Sequence, residues 1–563
     1  MFSLTRSEVL NTPDSVTKLR SKQQKVLLLS HSTDKPGNSV LENLRTSLEF
    51  SKIEFEIFDV AGKQTWPNML DFSCIVLCTT KISTLPINGV SAIREHVSKG
   101  YGLLVAIRGW NQNLSKIFGV PSEQPKFGHG GGIIFHEDVF PGTKDLSSSV
   151  FFKSHSAFDV HKDQLSNDCT VLASNLEGLP ILWSRPVKYG HVVYWNTNHL
   201  SNRKMRGFFI HSLLLAMGTG FASKEEFAVL QIDDFPASLS DSEIDPIKDE
   251  YPDRSWNEFI FKDWYQDMIS MRAKHNLKYT WYTIMNYHDI ATDENSLRSP
   301  EEKTFDEHVL QTRLKRMQSL CGGDEIAFHG YNHVTMTSDQ WPDKNILKQK
   351  LIYARELWEK NFQGDMPTSW VPANNQYHQD HIKVLKEVFP EIKLVCGNYS
   401  SGDFSKGQFR EFDIEPWESG IDCMPRETSG YIFTDELKLM TVSQIASMGV
   451  WTHFIHPDDI FDVPINENDD LFRRNQDQLL WRAQNETGAQ GMFNQFEEWI
   501  AYVRTNFPWL EFLTTSQAHS KLSAYKNKRV EIARLDSTFE IRSSDSTKLY
   551  INCLLYTSDA ADE

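Results

Sequence analysis

The 563-residue chain carries 58 basic and 75 acidic side chains, a formal net charge of −17, with 40% hydrophobic and 12% aromatic residues. That length exceeds what one hydrophobic core supports, so about two to four globular domains are expected. The acidic excess repels phosphate backbones and excludes nucleic acid as the expected partner, while neutral or cationic ligands stay compatible.

The first residues, "MFSLTRSEVLNTPDSVTKLRSKQQ", contain no apolar segment of signal-peptide type. The most apolar stretch, "GFFIHSLLLAMGTGF" at 207–221, is too short for a membrane span, so no span is expected in this chain. Seven cysteines without a C-x-x-C demand neither a disulfide framework nor a thiolate metal site. From residue 24 short apolar strands alternate with amphipathic helices: "KVLLLS", "EFEIFDV", "FSCIVLCTT" and "GLLVAI" are strands, and "GVSAIREHVSKG" is a helix closed by Gly100. The fold class is α/β, and residues 24–222 are expected to form a doubly wound parallel sheet. The layout resembles the flavodoxin-like, class I glutamine-amidotransferase-like fold. That fold implies a nucleophilic cysteine at a sharp elbow, but "LLVAI" is followed by "RGWNQN". The expectation is a binding or scaffolding domain without amidotransferase activity. "FGHGGG" at 127–132 reads as a glycine turn, since no G-x-S-x-G exists to make an esterase of it.

A second alternating series spans 226–515. Its strands are expected at 227–233, 278–286, 324–329, 369–374, 393–399, 449–456 and 510–514, with helices at 303–320, 344–361 and 491–506. About seven strands separated by helices predict a (β/α)7-type barrel, whose reactive groups gather at the C-terminal strand ends. Residues 516–552 turn to β-rich alternation and read as the start of a truncated β-sandwich. The final "CLLYTSDAADE", 553–563, resembles translated sequencing adapter and is expected to be a scar, with the natural chain continuing past about residue 552.

Four strand ends carry polar groups. "AVLQID" ends in Asp233-Asp234, "DEIAFH" in His329 with His333 four residues on, "SWVPAN" in Asn374-Asn375, and "VWTHFIH" in His456 followed by Asp458-Asp459. Two carboxylates beside a core are costly unless their charge is compensated, and a divalent cation would do so. One carboxylate with two neutral imidazoles matches a catalytic zinc site with an open position for water. Asp233 or Asp234, His329, His333 and His456 supply ligands, a base and an acid. The aspartate pair has a competing reading as a turn and helix cap, and His453 reads as structural. Tyr331, Trp370, Trp417, Trp451 and Tyr287 are candidates for stacking on sugar rings or for core packing, with Tyr331 favoured because it lies between the two histidines.

"IDDFP", "HGYNH" and "FIHPDD" resemble the first, second and last motifs of the NodB-like polysaccharide deacetylases. They resemble most an outlying branch of large bacterial and fungal exopolysaccharide deacetylases, over residues 226–515. The amidotransferase-like domain in front fits the bacterial members. The resemblance implies Asp233 as general base, Asp234, His329 and His333 as ligands of Zn2+ or another divalent transition metal, and His456 as general acid. It also implies an N-acetylated amino-sugar polysaccharide as substrate and an extracellular or envelope location, although no signal peptide is present. The family's third motif supplies an arginine that orients the base. "SWVPANN" has none, and Arg426 in "CMPRETSG" is the candidate to stand in from another loop. A backbone N–H near Asn374 is the candidate oxyanion donor. Longer spacing between the first two motifs implies inserted loops at 237–255 and 288–302. Two other readings stay open: a glycoside hydrolase using Asp234 with Asp413 or Glu415, which needs no metal, and a glycan-binding protein without turnover.

Overall fold

The structure is a computed structural model. It describes residues 2–4, 22–62, 65–137, 142–144, 146–148, 155–236, 247–293, 296–318, 323–362, 365–401, 409–464, 473–535, 538–544 and 547–553. The expected insertion at 237–255 lies partly outside these residues, as does all of the expected scar after Cys553.

Two compact units are present. The first takes in residues 1–226, 434–450 and 524–563. Its main sheet has nine strands. Glu54–Asp59, Lys25–Ser30, Cys74–Leu77, Gly102–Val105 and Gly190–Trp195 run parallel in that spatial order. Four of these strands are mostly apolar and buried, as the interior of a parallel sheet requires, while the edge strand Glu54–Asp59 is polar and largely exposed. Beyond Gly190–Trp195 the sheet turns antiparallel through Pro180–Val187, Thr170–Ser174, Ile133–Phe135 and Ser147–Ser148. The expected doubly wound parallel sheet is therefore a mixed one. The antiparallel half was missed because Ile133–Phe135 and Ser147–Ser148 are very short and Pro180–Val187 contains Pro186, which argues against a strand.

Two further expectations are corrected here. "FGHG" of 127–130 is a strand paired antiparallel with His155–Phe158, not a free glycine turn. Residues 515–527 form a helix, so the β-rich stretch begins only at Val530. Val530–Leu535 pairs with Lys22–Gln23, and Thr547–Cys553 pairs with Thr219–Ser223 and Phe2–Leu4. These pairings form two small three-stranded sheets apart from the nine-stranded one.

The second unit comprises residues 227–433 and 451–523. Its strands are all parallel, in the order Asp422–Arg426, Leu394–Asn398, Ser369–Trp370, Glu325–Gly330, Tyr279–Ile284, Phe227–Phe235, Val450–Ile455 and Thr428–Ser429. Glu511–Leu513 pairs off this path with Phe227–Phe235. The two ends of that order, Asp422–Arg426 and Thr428–Ser429, are separated only by Glu427. The sheet thus curls into a nearly closed parallel barrel. Seven strands fall where the apolar runs placed them, while Asp422–Arg426 was missed because Pro425 inside "DCMPR" argues against a strand. Helices Pro300–Gln318, Lys344–Asn361 and Met492–Asn506 lie between strands, and Asp343 caps the second by accepting from the Asn345 N–H at 2.8 Å. Among the described residues no helix is long and apolar enough to cross a membrane.

One buried carboxylate ties the start of the barrel together. Asp324, at the foot of strand Glu325–Gly330, accepts from the Tyr279 N–H at 3.1 Å, the Trp281 Nε1–H at 3.0 Å and Arg272 at 2.7 Å. Its side chain is 1% exposed. Asp324→Ala leaves a guanidinium, an indole N–H and a backbone N–H without their acceptor. The expected cost is about 3 kcal/mol, read as a shift in urea unfolding. A variant within about 0.5 kcal/mol of wild type would show that water replaces the carboxylate.

Candidate metal centre

The site begins with strand Phe227–Phe235, which is apolar apart from Gln231 until it delivers two carboxylates in succession at its C-terminal end. Alternation along an extended strand sends neighbouring side chains to opposite faces. Asp234 departs from extended geometry with φ 58°, a left-handed conformation that aspartate tolerates better than most residues. With this break the two carboxylates meet different partners.

Asp234 meets the histidines. Its Oδ1 lies 3.2 Å from His329 Nε2 and 3.5 Å from His333 Nε2, and the three ligand-type atoms fall within 4.8 Å of one another. His329 ends the strand Glu325–Gly330, next to the fully buried Phe328. Gly330 follows at φ 152°, where a Cβ would stand 2.9 Å from the Asn332 carbonyl oxygen, so glycine is required for the chain to turn and bring His333 back. The two imidazoles meet edge to face with centroids 5.4 Å apart.

Protonation of His329 is set from behind. Its Nδ1 lies 2.8 Å from the Val371 carbonyl oxygen, and a carbonyl can only accept, so Nδ1 carries the hydrogen. In the neutral ring Nε2 is then a lone pair facing a carboxylate oxygen. Asp234 Oδ1 and His329 Nε2 are both buried, and neither has a hydrogen-bond partner. Two acceptors at this distance require a positive charge between them, either a proton on His329 or a cation. Burial raises the Asp234 carboxyl, but the adjacent His329 and the charge of His333 outweigh it and hold the group well below the usual carboxylate range. Burial lowers His329, but the Asp234 and Asp233 carboxylates outweigh it and its net shift is upward; His333 is lowered, mainly by burial. The donor set of two imidazole nitrogens and one carboxylate, oriented by a backbone carbonyl, fits a divalent transition metal.

Asp233 meets an arginine. Arg426 Nη1 donates to Asp233 Oδ2 at 2.5 Å, and both side chains are 1% exposed. The guanidinium also donates to Asn375 Oδ1 at 2.7 Å and lies 3.8 Å from the centroid of the Phe454 ring. Arg426 comes from the end of a barrel strand, not from a loop as expected. His456 Nε2 approaches the same Asp233 oxygen at 3.6 Å, and its Nδ1 lies 3.1 Å from Asp459, a carboxylate also held by Arg474. Burial opposes charge on His456, but Asp459 and Asp233 overcome it and push the imidazole up to about 9.

The structure brings Asp233, Asp234, His329, His333, His456 and Arg426 to one barrel rim. The other expected residues fare differently. Tyr331 is 2% exposed, and its hydroxyl donates to Asp289 at 2.5 Å, so its ring supports the histidine loop and has no face for a sugar. Trp370 is fully buried beneath the rim and is likewise corrected to a core residue. Trp451 is also fully buried, and Trp417 is 8% exposed beneath the Arg410 guanidinium. Burial and the Asp234 carboxylate push the Tyr287 hydroxyl well above the ordinary tyrosine range. Asn374 is exposed on the rim in a left-handed turn with φ 52°. His453 is internal, between Thr428 Oγ1 at 2.9 Å and the Gly430 carbonyl oxygen at 3.0 Å. Glu415 accepts from Arg410 at 2.8 Å and from the Trp417 N–H at 2.5 Å, which leaves it structural. Asp413 bonds through its carbonyl to the Cys423 N–H, near the opposite end of the strand from Arg426. Asn375 as arginine acceptor, Phe454 and Arg474 were not singled out in these roles. Only the "RR" at 473–474 and the alternation of "VWTHFIH" gave any sign of them.

A family profile described as "Uncharacterised protein conserved in bacteria (DUF2194)" matches residues 122–559. No curated protein sequence matches the chain. Among solved structures, one provisionally named a polysaccharide deacetylase, from Mycobacterium smegmatis, is 14% identical, with a TM-score of 0.33, covering 54% of this chain and 92% of its own. A β-galactosidase from Bacillus circulans sp. alkalophilus is 13% identical, with a TM-score of 0.25, covering 37% of this chain and 34% of its own. An exo-β-1,4-mannosidase from Opitutaceae bacterium strain TAV5 is 15% identical, with a TM-score of 0.24 and 32% coverage of each chain.

The buried pair of Arg426 and Asp233 yields a stability test. Arg426→Met strands a buried carboxylate, at an expected cost of about 3 to 5 kcal/mol. In an Asp233→Asn background the same substitution should cost much less. Equal losses in both backgrounds, measured by denaturant unfolding, would show that Arg426 acts through Asn375 or Phe454 instead.

Proposed function

For this chain, which belongs to the DUF2194 family, we propose a metal-dependent hydrolase that removes N-acetyl groups from an amino-sugar polysaccharide. The observation that carries the proposal is the unpartnered Asp234 Oδ1 facing two imidazole Nε2 atoms, one of them fixed as an acceptor by Val371. The resemblance of "IDDFP", "HGYNH" and "FIHPDD" to deacetylase motifs supports the choice of bond.

Held by Asp234, His329 and His333, Zn2+ or a similar ion would polarise the acetamide carbonyl and lower the pKa of a bound water to about 7. Asp233 is the base that takes the proton of the attacking water. Arg426 holds one oxygen of that carboxylate at 2.5 Å, while Oδ1 is buried with no hydrogen-bond partner and stays free to accept. His456, protonated at neutral pH through Asp459 and Asp233, donates from Nε2 to the departing sugar amine. Asn374, exposed on the rim, is the proposed backbone donor to the developing oxyanion.

Of the two other readings, the glycoside hydrolase is less well supported: Glu415 is enclosed by Arg410 and backbone N–H groups, and Asp413 bonds to Cys423, near the opposite end of strand Asp422–Arg426 from the rim. The binding-only reading rested on an absent arginine, and Arg426 occupies that place beside the base.

The test is metal content by elemental analysis together with acetate release from N-acetylated amino-sugar polymers. His329→Ala is expected to lose both the ion and turnover. Asp233→Asn and His456→Ala are expected to keep the ion while turnover falls by about two to four orders of magnitude. Full turnover by either variant removes that residue's role, and full turnover without a metal removes the whole reading.

A further inference from the structure

Beside the proposed metal centre the barrel mouth carries a pair of aromatic rings that the mechanism does not use. Tyr399 directly follows strand Leu394–Asn398, and Phe409 returns to it, fastened where the Arg410 N–H donates to the Tyr399 carbonyl oxygen at 2.8 Å. The two rings are parallel to within 3°, with centroids 4.9 Å apart. Tyr399 is half-buried, but Phe409 is 54% exposed. An exposed phenylalanine alone signifies little. This one differs because the Tyr399 ring is stacked parallel against it.

The position relates the pair to the site. Asn398 stands opposite Arg426 in the parallel pairing, and its N–H donates to Asn375 Oδ1 at 3.2 Å, the same oxygen that accepts from Arg426. Tyr399 is the next residue, so its Cα is roughly 6 Å from that of Arg426 by ordinary strand spacing. Behind the pair the backbone is pinned. Arg410 is buried, paired with Glu415 at 2.8 Å and lying over the Tyr377 and Trp417 rings. The ledge is therefore mounted on a rigid base one strand away from the proposed catalytic carboxylate.

We infer that Tyr399 and Phe409 form a sugar-stacking subsite, which receives a pyranose ring of the polymer within a short oligosaccharide's reach of the residue undergoing deacetylation. The C–H face of a pyranose is apolar and lies flat on an aromatic ring, whereas an anionic polymer would meet the field of a chain with net charge −17. The occupant is thus a neutral or amino polysaccharide, bound across more than one sugar. This inference rests on the proposed function for its choice of substrate, but its test reads binding separately from turnover.

The experiment is affinity electrophoresis of the full chain in gels containing soluble N-acetylated hexosamine polymers of β-1,4, β-1,6 or α-1,4 linkage. Acetate release is then measured on the retarding polymer and on its N-acetylated monosaccharide. Wild type is expected to be retarded by at least one polymer. Phe409→Ala and Tyr399→Ala should lose most of that retardation and raise KM for the polymer about tenfold, with kcat, bound metal and monosaccharide turnover unchanged. Phe409→Trp should restore retardation. Undiminished retardation of both alanine variants, or no retardation of wild type by any polymer, overturns the subsite. Retardation that depends on Phe409 without any acetate release upholds it while overturning the deacetylase reading.

Discussion

Two adjacent carboxylates at the end of one buried strand are the constraint from which the site follows. Neither is stable there without a positive partner, and the backbone turn at Asp234 gives them different nearest partners. Asp233 is met by a guanidinium and, further off, by an imidazole; Asp234 is met by two imidazoles alone. In the proposed function, that difference makes one dipeptide both a positioned base and a ligand. The left-handed φ at Asp234 costs on the order of 1 kcal/mol. The packing of Phe235 against Trp281 on one side and strand Phe227–Phe235 on the other holds it in place.

The parallel barrel is what makes the arrangement possible from such distant pieces of chain. In a parallel sheet every strand ends on the same side, so each contributes its final residue to one rim. Asp233, His329, Arg426 and His456 come from four strands or the residue just past one, and Asn375 from the turn after a fifth. The rim residues are also braced from behind. Val371 orients His329, Asp459 orients His456, Phe454 and Asn375 orient Arg426, and Asp289 with buried Lys350 receives Tyr331 from the histidine loop. Side chains fixed in this way lose little freedom when a ligand arrives, which is how a rigid scaffold makes a few polar groups effective.

The legible part of this protein was the part written in apolar runs and short polar punctuation. Seven strands of the second unit were found because most are continuous buried stretches, and the polar residues that end four of them mark the candidate site. Two things were hidden. Strand Asp422–Arg426 contains a proline, which local reasoning treats as a stop, although an outer position with pairing on one side accommodates it. The burial of Tyr331 and Trp370 was hidden as well, because an aromatic residue beside a site has the same local sequence whether its ring faces the cavity or the core. The residues that do present a ring, Tyr399 and Phe409, lie outside every motif. The first unit was legible in its parallel half and illegible in its antiparallel half. There two strands are only two and three residues long, and in a separate small sheet Thr219–Ser223 pairs with the distant Thr547–Cys553.

Charge arithmetic at the rim gives the last step. Asp233 is matched by Arg426, and Asp459 by Arg474 with His456. Each of these pairs is internally compensated, so neither draws on the charge of anything that enters. Asp234 differs from both: its partners are imidazoles, one pinned as an acceptor and the other lowered by burial, so it has no permanent cation of its own, and burial with the Asp234 charge raises the neighbouring Asp458 carboxyl to about 6. A proton on His329 compensates it only while no stronger Lewis acid competes for the same lone pair. A divalent ion supplies twice the charge of that proton and engages both imidazoles at once. Metal binding would therefore displace a proton from His329 while the two compensated pairs stay as they are. Affinity should weaken as pH falls, because the same nitrogen cannot hold both.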